Sequence, residues 1–208
     1  MPELGLFPLP IVLVPTERIP LHIFEPRYRD LIHECVETGV EFGLVLATGD
    51  GAVHEIGTRA GVVDVLEELE DGRMNIVVEG RERFRLLELT RGRTFQTGIV
   101  EPVHDEAEPA SPEDTARALA IFRELAEIAE SDVDVPEPDS PQLVWELAAR
   151  VDFGVDPKQE ILASTSPAQR IRRLAELLES SLEAVRLEKT LRDRAGRNGK
   201  VSPIGDED

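Results

Sequence analysis

The hydrophobic periodicity of this 208-residue chain changes from mainly strand-like to helical near residue 105, and that change restricts the fold more than any other feature. Before it, apolar and polar residues alternate in short runs separated by glycine turns, as is typical of β-strands. After it, apolar residues recur at the spacing of one helix face. The sequence therefore predicts an α+β protein in which a β-rich part precedes a helical part.

The first half contains the predicted strands. They comprise residues 41–47, two runs within residues 61–89, and residues 93–103. Asp71-Gly72 lies between the two runs, and this dipeptide favours a type I′ hairpin turn in which both residues have positive φ. The two runs are therefore predicted to form a β-hairpin with Asp71-Gly72 at its tip.

One helix is predicted to interrupt these strands. Pro26 can occupy its first turn, where proline removes no backbone donor that the helix needs. Apolar side chains then recur at helical spacing and form one face, which consists of Tyr28, Leu31, Ile32 and Cys35 or Val36.

An acidic, proline-rich linker separates the two halves. We predict a β-rich subdomain at residues 1–105, the linker at 106–111, a helical subdomain at 112–195 and a disordered tail at 196–208.

Helices of the second half are predicted near residues 112–130, 141–152, 157–164 and 167–195. Each start carries a capping residue followed by proline: Ser111-Pro112, Ser140-Pro141, Asp156-Pro157 and Ser166-Pro167. The side-chain oxygen of such a residue can accept a free amide hydrogen of the first turn. Gln159 and Gln169 are expected to complete capping boxes in the last two helices.

The last predicted helix has two apolar stripes. The first consists of Leu174, Leu178, Leu182 and Val185, and the second of Leu177, Ala184, Leu187 and Leu191. If the second stripe is exposed, it offers a surface for a partner helix or for a weak homodimer. The alternative is that the β half covers it.

Composition excludes several classes of partner. The formal net charge of -19 repels phosphate backbones and anionic lipids, so neither nucleic acid nor a membrane is expected as a partner. No apolar run approaches the roughly 20 residues that span a bilayer. The single cysteine, Cys35, excludes an internal disulfide, and we expect a cytoplasmic protein.

The sequence predicts neither catalysis nor a cofactor. It contains no G-x-x-x-x-G-K-[ST] phosphate loop and no C-x-x-C or H-E-x-x-H metal motif. Cys35 and His33 are two positions apart on a predicted helix, so they point to different faces. We therefore expect a non-enzymatic protein without a metal or cofactor, whose function is binding.

Three stretches of the chain carry a resemblance to a known family. The first, residues 4–32, contains Pro10, Pro15, Pro20, Phe24, Pro26 and Tyr28; the second, residues 56–89, contains Gly57, Asp71, Gly72, Gly80, Arg83 and Phe84; the third, residues 156–194, contains Lys158-Gln159 and Glu188-Lys189. In this order and spacing they resemble the N-terminal substrate-binding domain of Lon proteases. The resemblance implies a PUA-like β pseudobarrel followed by a helical bundle that ends in a long helix.

The resemblance also implies a function. We expect a stand-alone substrate-binding domain, without the ATPase and protease domains, that binds unfolded or misfolded polypeptides in protein quality control. Presentation of these clients to a protease or chaperone partner would follow from that role. Two alternatives stay open: a scaffold or adaptor that docks one folded partner, and small-molecule binding in a cleft between the subdomains.

Five side chains are candidate protein-binding residues. Phe24, Arg27 and Tyr28 lie at the start of the first helix, and Arg and Tyr are over-represented at interface hot spots. Trp145 and Phe153 belong to the middle helices and would line a groove between the halves. The alternative is that the aromatic residues pack in the core and that Arg27 pairs with a nearby acid.

Overall fold

The structure, a computed structural model, describes residues 3–49 and 51–198. Its elements are β1 (Glu3–Leu9), β2 (Arg18–Ile23), α1 (Pro26–Thr38), β3 (Phe42–Leu46), β4 (Ile56–Glu68), β5 (Met74–Thr90), β6 (Thr97–Pro102), α2 (Pro112–Ile128), α3 (Leu143–Ala148), α4 (Val155–Ala163) and α5 (Pro167–Asn198). The predicted α+β order is confirmed. Of the predicted tail, residues 196–198 continue α5, and residues 199–208 lie outside the described part of the chain.

The strands form a six-stranded sheet that closes on itself. Its order is β2-β5-β4-β3-β1-β6, and β6 pairs in addition with β5. β1 and β3 are parallel, whereas β5 is antiparallel to β2, β4 and β6. The first part of β5 pairs with β2 and its second part with β6, so the strands from β5 to β6 close into the expected pseudobarrel. β2 lies outside this closed ring.

The β4–β5 hairpin is confirmed, but its turn is not the predicted type I′. Gly72 has a φ of 80°, whereas Asp71 is not among the described non-glycine residues with positive φ. The Gly72 N–H donates to the Leu69 carbonyl and the Leu69 N–H to the Arg73 carbonyl, both at 2.8 Å. Residues 69–72 therefore form a type I turn whose last residue, Gly72, is left-handed, which spares Asp71 the steric cost of positive φ.

Helix α1 begins at Pro26, as predicted, and buries Tyr28, Leu31, Ile32 and Cys35. Val36, the alternative to Cys35 on this face, is exposed. The helix packs over one face of the sheet, and its buried side chains join Phe7, Ile23, Phe42, Met74 and Ile76 in a single hydrophobic cluster.

Two of the predicted helix caps are confirmed. The Ser111 hydroxyl accepts the Asp114 N–H at 3.0 Å, and the Ser166 hydroxyl accepts the Gln169 N–H at 3.4 Å. Ser140 instead caps a preceding turn, because its hydroxyl accepts the Gln142 N–H at 3.2 Å. Helix α3 therefore begins only at Leu143, and it is shorter than the predicted 141–152.

Helix α4 departs from its predicted cap. It begins at Val155 with Gly154 at the N-cap, so Asp156 lies within the first turn. Gln159 does not fold back to complete a capping box; its Nε2 donates to the Ile56 carbonyl at 3.0 Å. A long-range contact to β4 thus replaces the local one that the sequence predicts.

The β-rich and helical halves share one hydrophobic core cluster. Val12, Val14, Leu46 and Ile56 of the first half pack in it with buried residues of α2, α3, α4 and α5. Because apolar side chains from both halves interdigitate, the helices have a fixed position relative to the sheet.

The two apolar stripes of α5 differ in burial. Leu174, Leu178 and Leu182 of the first stripe are buried. In the second stripe Leu177 packs partly against the core, whereas Leu187 and Leu191 are exposed. The β half does not cover the distal part of the second stripe.

Candidate functional site

Strand β2 has an edge to which no described strand is paired. Its other edge pairs with β5 along the whole strand in an antiparallel register. Pro20 has no N–H to donate, and proline within a strand lies where its nitrogen faces away from the neighbouring strand. In an antiparallel strand the backbone N–H and C=O groups of successive residues point alternately to the two edges, so those of Arg18 and His22 point outward, as the Pro20 nitrogen does. The open edge therefore offers three carbonyls and the N–H groups of Arg18 and His22.

Three depressions of the surface meet along β2. The first, of about 720 Å³, lies at the start of the strand and includes Arg18. The second, of about 520 Å³, has Ile19 and Pro20 on one side and the α3–α4 connection on the other. The third, of about 540 Å³, includes Pro20, Leu21 and His22. An extended chain lying along β2 would contact all three.

An exposed aromatic side chain lies at the end of β2. Phe24 is 59% exposed, and its ring stacks on His22 with centroids 5.9 Å apart. His22 Nδ1 lies 2.7 Å from Asn75 Oδ1, and Asn75 Nδ2 donates to Glu67 Oε2 at 2.8 Å. Since Asn75 uses its nitrogen on Glu67, its oxygen must accept from His22, so Nδ1 carries the proton. The hydrogen bonds from Glu67 through Asn75 to His22 form a ladder that fixes the His22 ring, on which the Phe24 ring stacks. Leu66, which lines the third depression, is another exposed apolar side chain of this region.

Arg27 and Tyr28 differ in accessibility. Tyr28 is 5% exposed, its ring centroid lies 4.0 Å from that of Phe7, and burial raises the pKa of its hydroxyl. The exposed Arg27 guanidinium lies 4.4 Å above the Tyr28 ring and 2.9 Å from the Glu25 carboxylate. Phe24 and Arg27 are thus open to a partner, whereas Tyr28 supports Arg27 from the core.

The turn before β2 is fixed to both halves of the protein. Thr16 has a φ of 68°, which a β-branched residue rarely adopts. Its N–H donates to the Gly80 carbonyl at 2.8 Å, and the Gly80 N–H donates to the Glu17 carbonyl at 2.9 Å. The Glu17 carboxylate accepts the Val14 N–H at 2.9 Å and the Lys158 ammonium at 2.5 Å. These bonds set where β2 begins.

Trp145 is itself largely buried, lines the first depression and packs against two buried arginines. The guanidinium carbons of Arg83 and Arg170 lie 5.2 and 4.3 Å from its ring centroid. Asp105 accepts two hydrogen bonds from Arg170, at 2.8 and 2.5 Å, and a third from Arg83. Arg83 also donates to the Leu162 carbonyl at 2.8 Å. This network of hydrogen bonds joins β5 and Asp105, at the end of the β-rich half, to α4 and α5.

Opposing effects act on the ionisation of this network. Burial alone would raise the pKa of Asp105, but hydrogen bonds and charge from Arg170 and Arg83 outweigh it and hold that pKa below its usual range. Burial lowers the pKa of Arg83, although Asp105 opposes the shift. Asp105 is therefore ionised at neutral pH. The charges of Asp105, Arg83 and Arg170 pair with one another within the protein.

Exposed arginines surround the start of β2. Arg18 and Arg81 both pair with Glu79, at 2.5 and 2.8 Å. The Arg18 side chain is 67% exposed, whereas that of Glu79 is 14% exposed. Arg150 donates to the Glu146 carbonyl at 2.5 Å, and no described carboxylate forms an ion pair with it. In these ion pairs the guanidiniums are more exposed than the Glu79 carboxylate, although the net charge of the chain is -19.

Phe153 is partly buried and packs against the shared core cluster. Its neighbours Asp152 and Gly154 line the second depression. Of the five candidate residues, Phe24 and Arg27 are exposed just after β2 and Trp145 lines the depression at its start, whereas Tyr28 and Phe153 pack against the two core clusters.

Arg18, His22, Leu66 and Arg150 were not predicted from the sequence as binding residues. The alternation of Arg18, Pro20 and His22 was available as a signal for an edge strand. Leu66 and Arg150 are far from β2 in the sequence, and only the tertiary structure brings them near it.

The described residues contain neither a cluster of metal-ligand side chains nor a helix that could span a membrane. Among residues 3–49 and 51–198, no group of three or more His, Cys, Asp or Glu side chains is arranged to hold a metal ion. None of the helices in this part is both long and apolar enough to cross a bilayer. Burial raises the pKa of Cys35 to about 11, so its thiol stays protonated at neutral pH.

Comparison with known families and proteins gives a consistent result. The family model described as ATP-dependent protease La (LON) substrate-binding domain matches residues 3–180. The Lon protease of Rhizobium meliloti (strain 1021) is 26% identical over 207 residues, covering 90% of this chain and 25% of the relative. The Lon protease of Anaeromyxobacter dehalogenans (strain 2CP-C) is 26% identical over 192 residues, covering 85% and 23%. The chain spans about a quarter of the length of these curated relatives.

Solved structures share the fold. A Lon N-terminal domain protein from Xanthomonas campestris superposes with a TM-score of 0.67 and 28% identity, covering 84% of this chain and 97% of that one. The N-terminal domain of Mycobacterium avium complex Lon protease has a TM-score of 0.65 at 17% identity, covering 86% and 98%.

Proposed function

This chain belongs to the family of ATP-dependent protease La (LON) substrate-binding domains, and from that membership we propose that it is a non-catalytic protein that binds unfolded or damaged polypeptides. Clients bound in this way would be presented to an ATP-dependent protease or to a chaperone. We further propose that this takes place in the cytoplasm.

The observation that carries the proposal is the exposed Phe24 beside the open edge of β2. A folded protein that selects unfolded chains needs apolar surface that it does not cover itself. Phe24 and Leu66 provide such surface, and both are exposed. The hydrogen-bonded ladder behind His22 holds the Phe24 ring in position, which lowers the entropic cost of binding.

The chemistry of the described residues supports a role without catalysis. The buried guanidiniums of Arg83 and Arg170 and the partly exposed Asp105 carboxylate bind one another across the two halves. The Cys35 thiol is buried and protonated, so it is a poor nucleophile. Recognition is what this arrangement supports best.

Fluorescence anisotropy with a labelled, permanently unfolded protein and with its folded form tests the proposal. We expect micromolar binding of the unfolded form, weakened by Phe24→Ala and by Arg27→Ala. Leu187→Ala is the matched control, because Leu187 is equally exposed but lies on α5 (62% exposed). Binding of neither form would contradict the proposal. Tight binding of one folded protein at fixed stoichiometry would favour an adaptor instead.

A further inference from the structure

We propose that the bound polypeptide adds as a strand to the open edge of β2, with an acidic group against the arginines at the start of β2 and an apolar side chain against Phe24. The inference rests on the proposed function and gives the geometry and chemistry of the bound segment.

The edge of β2 is suited to a foreign strand rather than to a second copy of itself. It offers the outward carbonyls of Arg18, Pro20 and His22 and two N–H groups, and such groups are what an added strand binds. If two β2 strands paired, Pro20 would remove a donor from both of them. A ligand strand without proline loses only the one hydrogen bond that Pro20 cannot donate.

The surface beside this edge leaves room for a strand. The second depression, of about 520 Å³, is lined by Ile19 and Pro20 of β2, by Val151 of the α3–α4 connection and by Val155 at the start of α4. Paired strands lie about 4.8 Å apart, and their side chains alternate between the two faces. A chain in this depression would bond to β2 through its backbone and pack alternate side chains near Val155, which is exposed.

Charge complementarity gives the chemistry of one end. Arg18, Arg81 and Arg150 are exposed at the start of β2, whereas the Glu79 carboxylate shared by two of them is mostly buried. Three further carboxylates line the same depression: Asp105 is bonded to Arg83 and Arg170, Glu146 accepts the Ser140 hydroxyl, and Glu82 is exposed. With Asp105 and Glu146 engaged in this way, Glu82 is the carboxylate that opposes the three exposed guanidiniums, and guanidinium–carboxylate hydrogen bonds are among the strong ones. An acidic side chain or a terminal carboxylate of the client fits this end.

The length of β2 sets the spacing of the two recognised groups. Arg18 and Phe24 are six positions apart in extended chain, and a strand rises about 3.3 Å per residue, so they lie about 20 Å apart. The preferred client segment therefore carries an acidic group and a large apolar side chain about six residues apart, without proline between them.

Backbone-methylated peptides test strand addition directly. The probe is a fluorescein-labelled, β-prone peptide of about ten residues with glutamate and phenylalanine about six positions apart. One further version carries N-methyl groups at the odd positions and another carries them at the even positions. Because alternate N–H groups of a strand point to opposite edges, each version loses the N–H groups of one edge of the peptide only. We expect one version to bind about tenfold more weakly than the parent and the other within about twofold, since two lost hydrogen bonds suffice for such a change. Equal losses, or no loss in either version, would overturn strand addition.

Failure of the inference is distinguishable from failure of the proposed function. If the unfolded protein binds but the parent peptide does not, the proposed function stands and the inference is wrong. If neither binds, the proposed function fails as well.

Two protein variants give a second measurement. His22→Pro removes the outward N–H, whereas His22→Ala removes the same side chain and keeps that N–H. We expect the parent peptide to bind His22→Pro at least about fivefold more weakly than His22→Ala, with both variants checked for folding by thermal unfolding. Equal affinities of two folded variants would contradict the inference. The methylated peptides provide the test independently of whether His22→Pro folds.

A charge-swapped peptide tests the acidic end. Replacing the peptide glutamate by lysine should weaken binding about tenfold, and Arg150→Ala should reduce this preference. A glutamine peptide should bind with intermediate affinity. Equal affinities of the glutamate and lysine peptides would overturn the assignment of an acidic group to this end.

Discussion

Lys158 places its Nζ 2.5 Å from Oε1 of Glu17, which joins α4 to the turn that precedes β2. Both side chains are largely buried. The second Glu17 oxygen accepts the Val14 N–H at 2.9 Å, so the carboxylate is bonded on both sides. The helical half thereby holds the start of the proposed binding edge in place.

Breaking this pair should destabilise the protein more than breaking an exposed one. Lys158→Ala leaves a buried carboxylate without its cation, and we expect a loss of about 3–5 kcal/mol in the free energy of unfolding, measured with urea. Lys189→Ala is the control, because it breaks an exposed pair with Glu130 and should cost less than about 1 kcal/mol. Similar losses in the two variants would show that the Lys158–Glu17 pair does not couple the halves.

Gly80 should tolerate no larger residue, because the turn before β2 packs against it. A Cβ at Gly80 would lie 2.2 Å from the Val14 carbonyl oxygen, so the backbone would have to shift. We expect Gly80→Ala to destabilise by about 1–3 kcal/mol in thermal or urea unfolding. At Gly49 nothing lies within 4 Å of the added Cβ, and Gly49→Ala should be neutral. A neutral Gly80→Ala would contradict the packing of this turn.

Phe24→Ala should separate binding from stability. Phe24 is mostly exposed, so its removal should change the free energy of unfolding by less than about 0.5 kcal/mol. It should nevertheless weaken binding of the unfolded client several-fold, as measured by anisotropy. Leu187→Ala, on the exposed stripe of α5, should change neither quantity. If both variants weakened binding equally, apolar exposure in general would be responsible rather than the surface around β2.

Asp105 should contribute an acid-sensitive part of the stability. Arg170 and Arg83 outweigh burial and lower its folded-state pKa below the unfolded value of 3.8. A depressed carboxylate pKa stabilises the fold above the unfolded value, and this contribution is lost as the pH falls through the folded value. We therefore expect urea stability to fall as the pH drops below about 4, with a smaller fall in Asp105→Asn. An unchanged pH dependence in that variant would assign the acid sensitivity to other groups.

Local patterns in the sequence were sufficient for much of the fold. The Ser111 cap, the start of α1 at Pro26 and the existence of the β4–β5 hairpin depend on neighbouring residues, and all three were predictable. Asp71-Gly72 gave the place of the turn but not its type, because a type I turn that ends in a left-handed glycine uses the same dipeptide.

The features that could not be predicted from the sequence depend on contacts between distant segments. Strand β2 was not predicted, because Pro20 is unfavourable in a central strand and acceptable only at an edge. Gln159 leaves its local capping role for the Ile56 carbonyl, more than a hundred positions away. The exposure of Phe24 likewise depends on how β2 and α1 meet.

The most direct test of the account is a titration of nitrogen-15-labelled protein with a permanently unfolded polypeptide, followed by amide chemical shifts. We predict that the largest changes lie at Arg18, His22, Phe24 and Arg27, with little change at Leu187 and Leu191. Changes confined to the exposed stripe of α5, with the β2 amides unmoved at saturation, would contradict the assignment of polypeptide binding to the edge of β2.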